Sequence, residues 1–204
     1  MELTSKQHDA LTELINIGYA RAAGALSELT GHRIVLEVPR VAMHKIEEIT
    51  EILQKVIQGE VVSVNQVFSG PVAGNALLLL NEDAALMLHR LLMDEEATEV
   101  NAAAREVVTE IGNILLNACL GVFGNMLRVQ VTFSVPRLRV EAIEGVLDSI
   151  TVEDEELKGA LMVQTRFRLR GGDVSGYLMI ILGVVSLDRL LLELENWERR
   201  QLTG

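Results

Sequence analysis

Displacing the sequence by 97 positions lays one half of it over the other. Glu13 falls on Glu110, Asn16 on Asn113, Ile17 on Ile114 and Gly24 on Gly121. Val38-Pro39-Arg40 falls on Val135-Pro136-Arg137, and Ile34 and Leu36 fall on Val131 and Phe133, which keeps the alternation of a strand. Farther along the offset grows to 102, and Val72-Ala73-Gly74 meets Val174-Ser175-Gly176. Both triplets open an apolar strand, Asn75–Leu80 and Tyr177–Leu182, that leads into a leucine-rich helical pattern. Chance matching scatters identities. It does not return a long helix, a strand with a proline and a hairpin in the same order twice.

Each half therefore reads as long helix, strand, short helical or irregular segment, hairpin and closing helix. The first helix is predicted from Thr4 or Ser5 to Leu29, with Gly31 as its stop. Gly70-Pro71 and Gly171-Gly172 are expected to turn the hairpins, and Met93 to Thr98 to link the halves. Glu141 to Lys158, which carries Glu153-Asp154-Glu155-Glu156, is expected to be an exposed excursion. Half of this chain has too little surface to close a core well alone. The expectation is an α/β fold of the α+β type, one domain over 1–204 built from two repeats (about 1–96 and 97–204). They would share a largely antiparallel sheet about a pseudo-twofold axis.

The 49% hydrophobic content supplies an ample core, and the net charge of −11 counts against one large class of function. With 18 basic against 29 acidic residues, no basic cluster and 3% aromatic residues, nucleic-acid binding is disfavoured, because neutralising phosphates requires patches of lysine and arginine. The acidity is read as solubility. Cys119 is the single cysteine, so no internal disulfide can form; it is expected to pack as a small hydrophobe in a reducing compartment. Met1 to Gln7 lacks the basic start of a signal peptide. The longest apolar run, Tyr177 to Val185, is nine residues where about 20 are needed to span a bilayer. A cytoplasmic protein without membrane insertion is expected. His8, His32, His44 and His89 have no metal-ligand spacing, so no metal site is predicted.

At about 100° per residue, Leu11, Leu14, Ile15, Ala22, Ala25, Leu26 and Leu29 form one stripe of the first helix. Asp9, Glu13 and Asn16 lie opposite, followed by Ala20 and Ala23. The second long helix repeats this with Glu106, Glu110, Asn113 and Asn117, followed by Gly121 and Gly124. Glycine inside a helix costs about 1 kcal/mol against alanine, which points to a close neighbour over that face. A single exposed Glu-x-x-Asn carries no weight. Two copies do, each followed by 22 residues and then a proline, Pro39 or Pro136.

The pattern Asp/Ser-x-x-x-Glu-x-x-Asn, 22 residues, Pro resembles the signature of the CheC/CheX/FliY phosphatases of bacterial and archaeal chemotaxis. Asp9, Glu13, Asn16 and Pro39 match it in full; Glu110, Asn113 and Pro136 match the second copy, where Glu106 replaces the usual Asp or Ser. Two motifs without an appended flagellar switch domain resemble the CheC-type members. The resemblance implies a protein aspartyl-phosphate phosphatase acting on a CheY-type response regulator, with Glu13, Asn16, Glu110 and Asn113 as catalytic residues. It implies that the asparagines orient the attacking water and the glutamates dock against the regulator's active-site lysine. Hydrolysis passes through a loose, metaphosphate-like transition state, so placing the water matters more than deprotonating it. A carboxamide offers an acceptor and donors without the charge that would repel phosphoryl oxygens. No cofactor of its own is implied, the Mg2+ belonging to the regulator.

The family also binds CheD, which leaves open a non-catalytic adaptor for CheY or for a CheD-like receptor deamidase. A duplicated small-ligand or dimerisation module, with the Glu-Asn stripe as a wet surface, is the third reading. A monomer is expected, since duplication already supplies the second half. Both prolines are expected to fix the end of a sheet strand rather than to touch substrate.

Overall fold

In the computed structural model, which describes residues 3–57, 59–93, 97–146, 157–169 and 172–203, the first helix α1 runs Ser5–Thr30. Thr4 starts it with a capping box: its hydroxyl accepts from the Gln7 N–H, and the Gln7 side chain accepts from the Thr4 N–H. Gly31 stops it in the left-handed conformation, at φ 68°. Then come β1 (Val35–Lys45), α2 (Ile46–Val56), β2 (Glu60–Ser69), β3 (Gly74–Asn81) and α3 (Glu82–Met93). The second half repeats the order: α4 (Ala102–Leu127), β4 (Thr132–Phe133), β5 (Arg137–Ala142), a helical stretch at 143–146, β6 (Leu157–Leu169), β7 (Gly172–Gly183) and α5 (Val184–Thr203). Asn101 caps α4 by accepting from the Ala104 N–H.

All ladders of the sheet are antiparallel, in the order β1-β6-β7-β3-β2, with β4 and β5 both on the outer side of β2. The order reads the same from either end. The two hairpins meet at β3 and β7 in the centre, and each half's first strand sits on the far edge, against the other half's hairpin. β1 pairs with β6, and β5 pairs with β2. The halves are thus interlocked through one sheet, as a duplicated fold with pseudo-twofold symmetry requires.

One face of the sheet carries α1, α3, α4 and α5 over Val62, Val64, Leu78, Leu161, Val163 and Ile180. The other carries α2 and the 143–146 stretch over Val61, Leu77, Leu79, Met162, Met179 and Ile181. Because both faces of the central strands are covered, β3 is buried without alternation from Ala76 to Leu80. α1 crosses α4 closely at Gly18, where an added Cβ would lie 2.9 Å from the Cys119 Cα. Cys119 is buried there as a packing residue, and burial raises its thiol pKa. At the Gly70-Pro71 turn, Gly70 has φ 151° and a Cβ would meet the Gln130 carbonyl, so the hairpin tucks under the chain leaving α4.

Three expectations change. Ala25 and Leu29 are exposed, Leu29 to 60%, and Leu29 lines an open groove between the end of α1, α3 and α4. The presumed excursion is not exposed at its start: Ile143 and Val146, three apart on a helical turn, cover the sheet face beside α2. Glu153-Asp154-Glu155-Glu156 lie outside the described residues. Counting uninterrupted apolar runs also missed that Ala102–Asn125 is long and apolar enough to cross a membrane. Here 56% of an 18-residue window of it is buried within the fold, as befits the helix over the sheet's centre.

Candidate functional site

On α1 the buried stripe turns Asp9, Glu13 and Asn16 outward, and all three are exposed. Neither Glu13 nor Asn16 has a hydrogen-bonding or ionic partner among the described residues. Asp9 approaches the His8 ring at 3.8 Å, and the other nitrogen of that ring lies 3.1 Å from the Val41 carbonyl oxygen. Farther along the face, Ala20 and Gly24 are exposed, and nothing would meet a Cβ at Gly24 within 4 Å.

α4 places its copies differently. Glu106 and Glu110 are exposed, but Asn113 is half-buried. Its Oδ1 accepts a 2.7 Å hydrogen bond from Asn117 Nδ2, one helical turn on. Asn117 Oδ1 in turn accepts from Gln66 Nε2 of β2 at 3.1 Å, and Gln66 Nε2 also donates to the Ser134 carbonyl at 3.0 Å. Of the glycines on this face, Gly121 is open, whereas a Cβ on Gly124 would lie 3.2 Å from the Val129 carbonyl oxygen. The close neighbour expected over Gly124 is therefore this chain's own turn after α4.

The prolines interrupt strands rather than end them. β1 pairs with β6 on both sides of Pro39, but its register shifts between Glu37 and Arg40. β2 pairs with β4 up to Phe133 and with β5 from Arg137, and 134–136 lie between the two strands. A proline has no N–H to give the ladder, so the chain steps out of register and resumes. At the second site this step has a use. Ser134 exchanges its N–H and hydroxyl with the Val67 backbone, and its carbonyl is left to receive Gln66.

Gln66 and Ser134 carry no motif and were not among the sequence candidates. The available signal was parity: Val62, Val64 and Phe68 of β2 face the helices, so Gln66, 2% exposed, is a polar residue in a core position. The surroundings of the two sites also differ. A groove of about 530 Å3 beside the first is lined by Ser5, His8, Asp9, Val41 and Met43. One of about 760 Å3 runs from Leu29 and Met93 past Val107 to Glu106 and Glu110.

Comparison with known proteins shows what the sequence and the fold are similar to. No family model matches the chain. Over 172 residues, 80% of each chain, it is 24% identical to the CheY-P phosphatase CheC of Bacillus subtilis strain 168. The fold is similar to that of FliY from Thermotoga maritima, with a TM-score of 0.77 and 20% identity over 97% of this chain and 100% of that one. It is also similar to a chain of the FliM–SpeE complex from H. pylori (TM-score 0.70, 13% identity, 97% and 98% covered). A chain of the CheX–CheY–BeF3–Mg2+ complex from Borrelia burgdorferi gives 0.50 with 17% identity, covering 81% and 96%. The architecture is CheC-like: two helix–strand–hairpin–helix units around one antiparallel sheet. In sequence the chain is similar to a CheC protein, and in fold to CheC/CheX/FliY-type proteins.

Proposed function

We propose that this chain hydrolyses the phosphoaspartate of a CheY-type response regulator, with one Glu-x-x-Asn site on α1 and one on α4. The observation that carries the reading is the repeated display: at equivalent positions of two long helices that each bury one face, Glu13 and Glu110 are exposed and an asparagine stands one turn on. Residues at i and i+3 lie about 5–6 Å apart at Cβ, so one helix insertion delivers both to a partner. Two likenesses support it. The B. subtilis relative is a CheY-P phosphatase, and a protein of similar fold was crystallised with CheY, BeF3 and Mg2+.

In this reading each glutamate pairs with a cationic side chain of the regulator. Asn16 or Asn113 holds the attacking water in line with the phosphorus, and the divalent ion is the regulator's own. The carboxamide leaves the phosphoryl group unopposed by charge, and its gain comes from positioning.

The test is dephosphorylation of a CheY-type regulator charged with acetyl phosphate and Mg2+. Asn16→Ala and Asn113→Ala should each lower the stimulated rate, by about ten- to a hundred-fold at the altered site. The double substitution should leave only the regulator's autohydrolysis. Glu13→Ala and Glu110→Ala should raise KM more than the asparagine changes do. A folded double-asparagine variant with full activity would overturn the proposal. A non-catalytic adaptor for CheY or a CheD-like deamidase is the second reading, favoured by the partial burial of Asn113. It requires regulator binding with no stimulated hydrolysis by the unaltered protein.

A further inference from the structure

We infer that Gln66 and Asn117 are positioning residues that fix which way the Asn113 carboxamide faces, a relay the first site lacks. The inference rests on the phosphatase reading above. Its physical basis is the direction of the hydrogen bonds. The Ser134 carbonyl can only accept, so Gln66 must present its NH2 group there. The second hydrogen of that NH2 reaches Asn117 Oδ1, which turns the Asn117 NH2 toward Asn113. Asn113 must then offer its oxygen to Asn117. Both Nδ2 hydrogens and one Oδ1 lone pair remain for a ligand, with no further partner among the described residues. A backbone carbonyl thus sets the orientation of a candidate water-holding group through two amides.

Two observations argue that this is more than a helix tether. Gln66 is a buried amide in an apolar row, and its own Oε1 has no partner among the described residues. An unsatisfied buried acceptor costs about 1–3 kcal/mol, which an aliphatic side chain would avoid. The first helix also dispenses with the device. Ala20 stands where α4 has Asn117, and the exposed Asn16 has no partner among the described residues. An unfixed carboxamide must lose rotational freedom when it binds water, whereas a fixed one has lost it on folding.

The experiment isolates the second site in an Asn16→Ala background and follows the same regulator, charged with acetyl phosphate and Mg2+. There Asn117→Ala should lower kcat about tenfold while KM stays within about twofold. Asn117→Asp is the sharper variant. It is isosteric and still accepts from Gln66, but it offers Asn113 a carboxylate that cannot donate, so Asn113 must turn its NH2 inward. If Asn117 is only a structural tether, aspartate restores the rate. If it sets orientation, aspartate is as defective as alanine. With the first site intact, Asn113→Ala and Asn113→Ala/Asn117→Ala should have the same residual rate, since Asn117 acts only through Asn113. Full kcat in Asn117→Asp, or a further loss in the double variant, overturns the inference and leaves the phosphatase reading standing. Full activity in Asn16→Ala/Asn113→Ala instead removes the reading itself.

Discussion

α1 and α4 carry the same motif at the same displacement, yet they hold it differently. Asn16 is exposed with no partner among the described residues, and the groove at its end of the motif reaches only Asp9, with Ser5 and His8. Asn113 is half-buried, hydrogen-bonded to Asn117, and its site adjoins a groove opening onto Leu29 and Met93. Both helices are tied to a strand of the other half, but not at equivalent positions. The Tyr19 hydroxyl bonds Thr165 of β6, and Asn117 bonds Gln66 of β2. In the 97-residue displacement Tyr19 falls on Leu116, and Asn117 falls on Ala20. That one-position difference turns the first anchor into the core and leaves the second beside the exposed pair. Repetition of a motif thus does not repeat the residues that support it.

The largest effect is expected from cutting the comparison in two. Because β1 is held by β6 and β5 by β2, residues 1–96 alone would lack the partner of β1, and residues 97–204 the partner of β5. Each half would also expose the face of its long helix that packs at the Gly18–Cys119 crossing. We expect neither half to give a cooperative thermal transition by circular dichroism. A monomeric, cooperatively folding 1–96 would show that the halves are separate domains and that their cross-half anchors are incidental.

The next effect separates two glycines of the same helix. Gly18→Ala puts a Cβ 2.9 Å from the Cys119 Cα, a backbone atom that can move only if the helices part. Overpacking of this kind costs about 1–3 kcal/mol, more than the ~1 kcal/mol that alanine returns in helix propensity. Gly24 is exposed with nothing within 4 Å, so Gly24→Ala should stabilise the fold by up to about 1 kcal/mol. Urea denaturation of both variants reads the difference. If Gly24→Ala also weakens capture of the phosphorylated regulator, the partner lies close over that part of the first site. Unchanged binding would place the partner nearer Glu13.

How much of this could be read in advance follows from the range of the forces involved. The helix ends, the two-half order and the exposure of Glu13 and Glu110 are local or periodic, and periodicity survives in one dimension. The same pattern misplaced Leu29, because whether a stripe is covered depends on where the neighbouring helix stops. Gln66 was legible only as a polar residue in a core row, and its partners lie 51 and 68 positions away in sequence. Pro136 was read as a strand end because a missing N–H says only that the ladder fails there. It does not say that the strand resumes at Arg137.

The smallest effect tests the two anchors against each other by pH. Burial, with the neighbouring Cys119 as a lesser cause, raises the Tyr19 pKa well above the ordinary phenol range, although its bond to Thr165 pulls the other way. The folded state therefore keeps a proton that the unfolded chain releases near pH ~10. Its contribution is complete below that pH and declines as pH rises toward the folded-state value. Tyr19→Phe should cost about 1 kcal/mol at pH 7, the net worth of one buried hydrogen bond. The gap to the unaltered protein should narrow above pH ~10, because phenylalanine has no proton to lose. Asn117→Ala should cost a similar amount with no such narrowing, since neither amide of that anchor titrates. Urea midpoints at neutral and alkaline pH make the comparison. A Tyr19→Phe gap that stays constant would mean that Tyr19 is not the group through which alkali loosens α1.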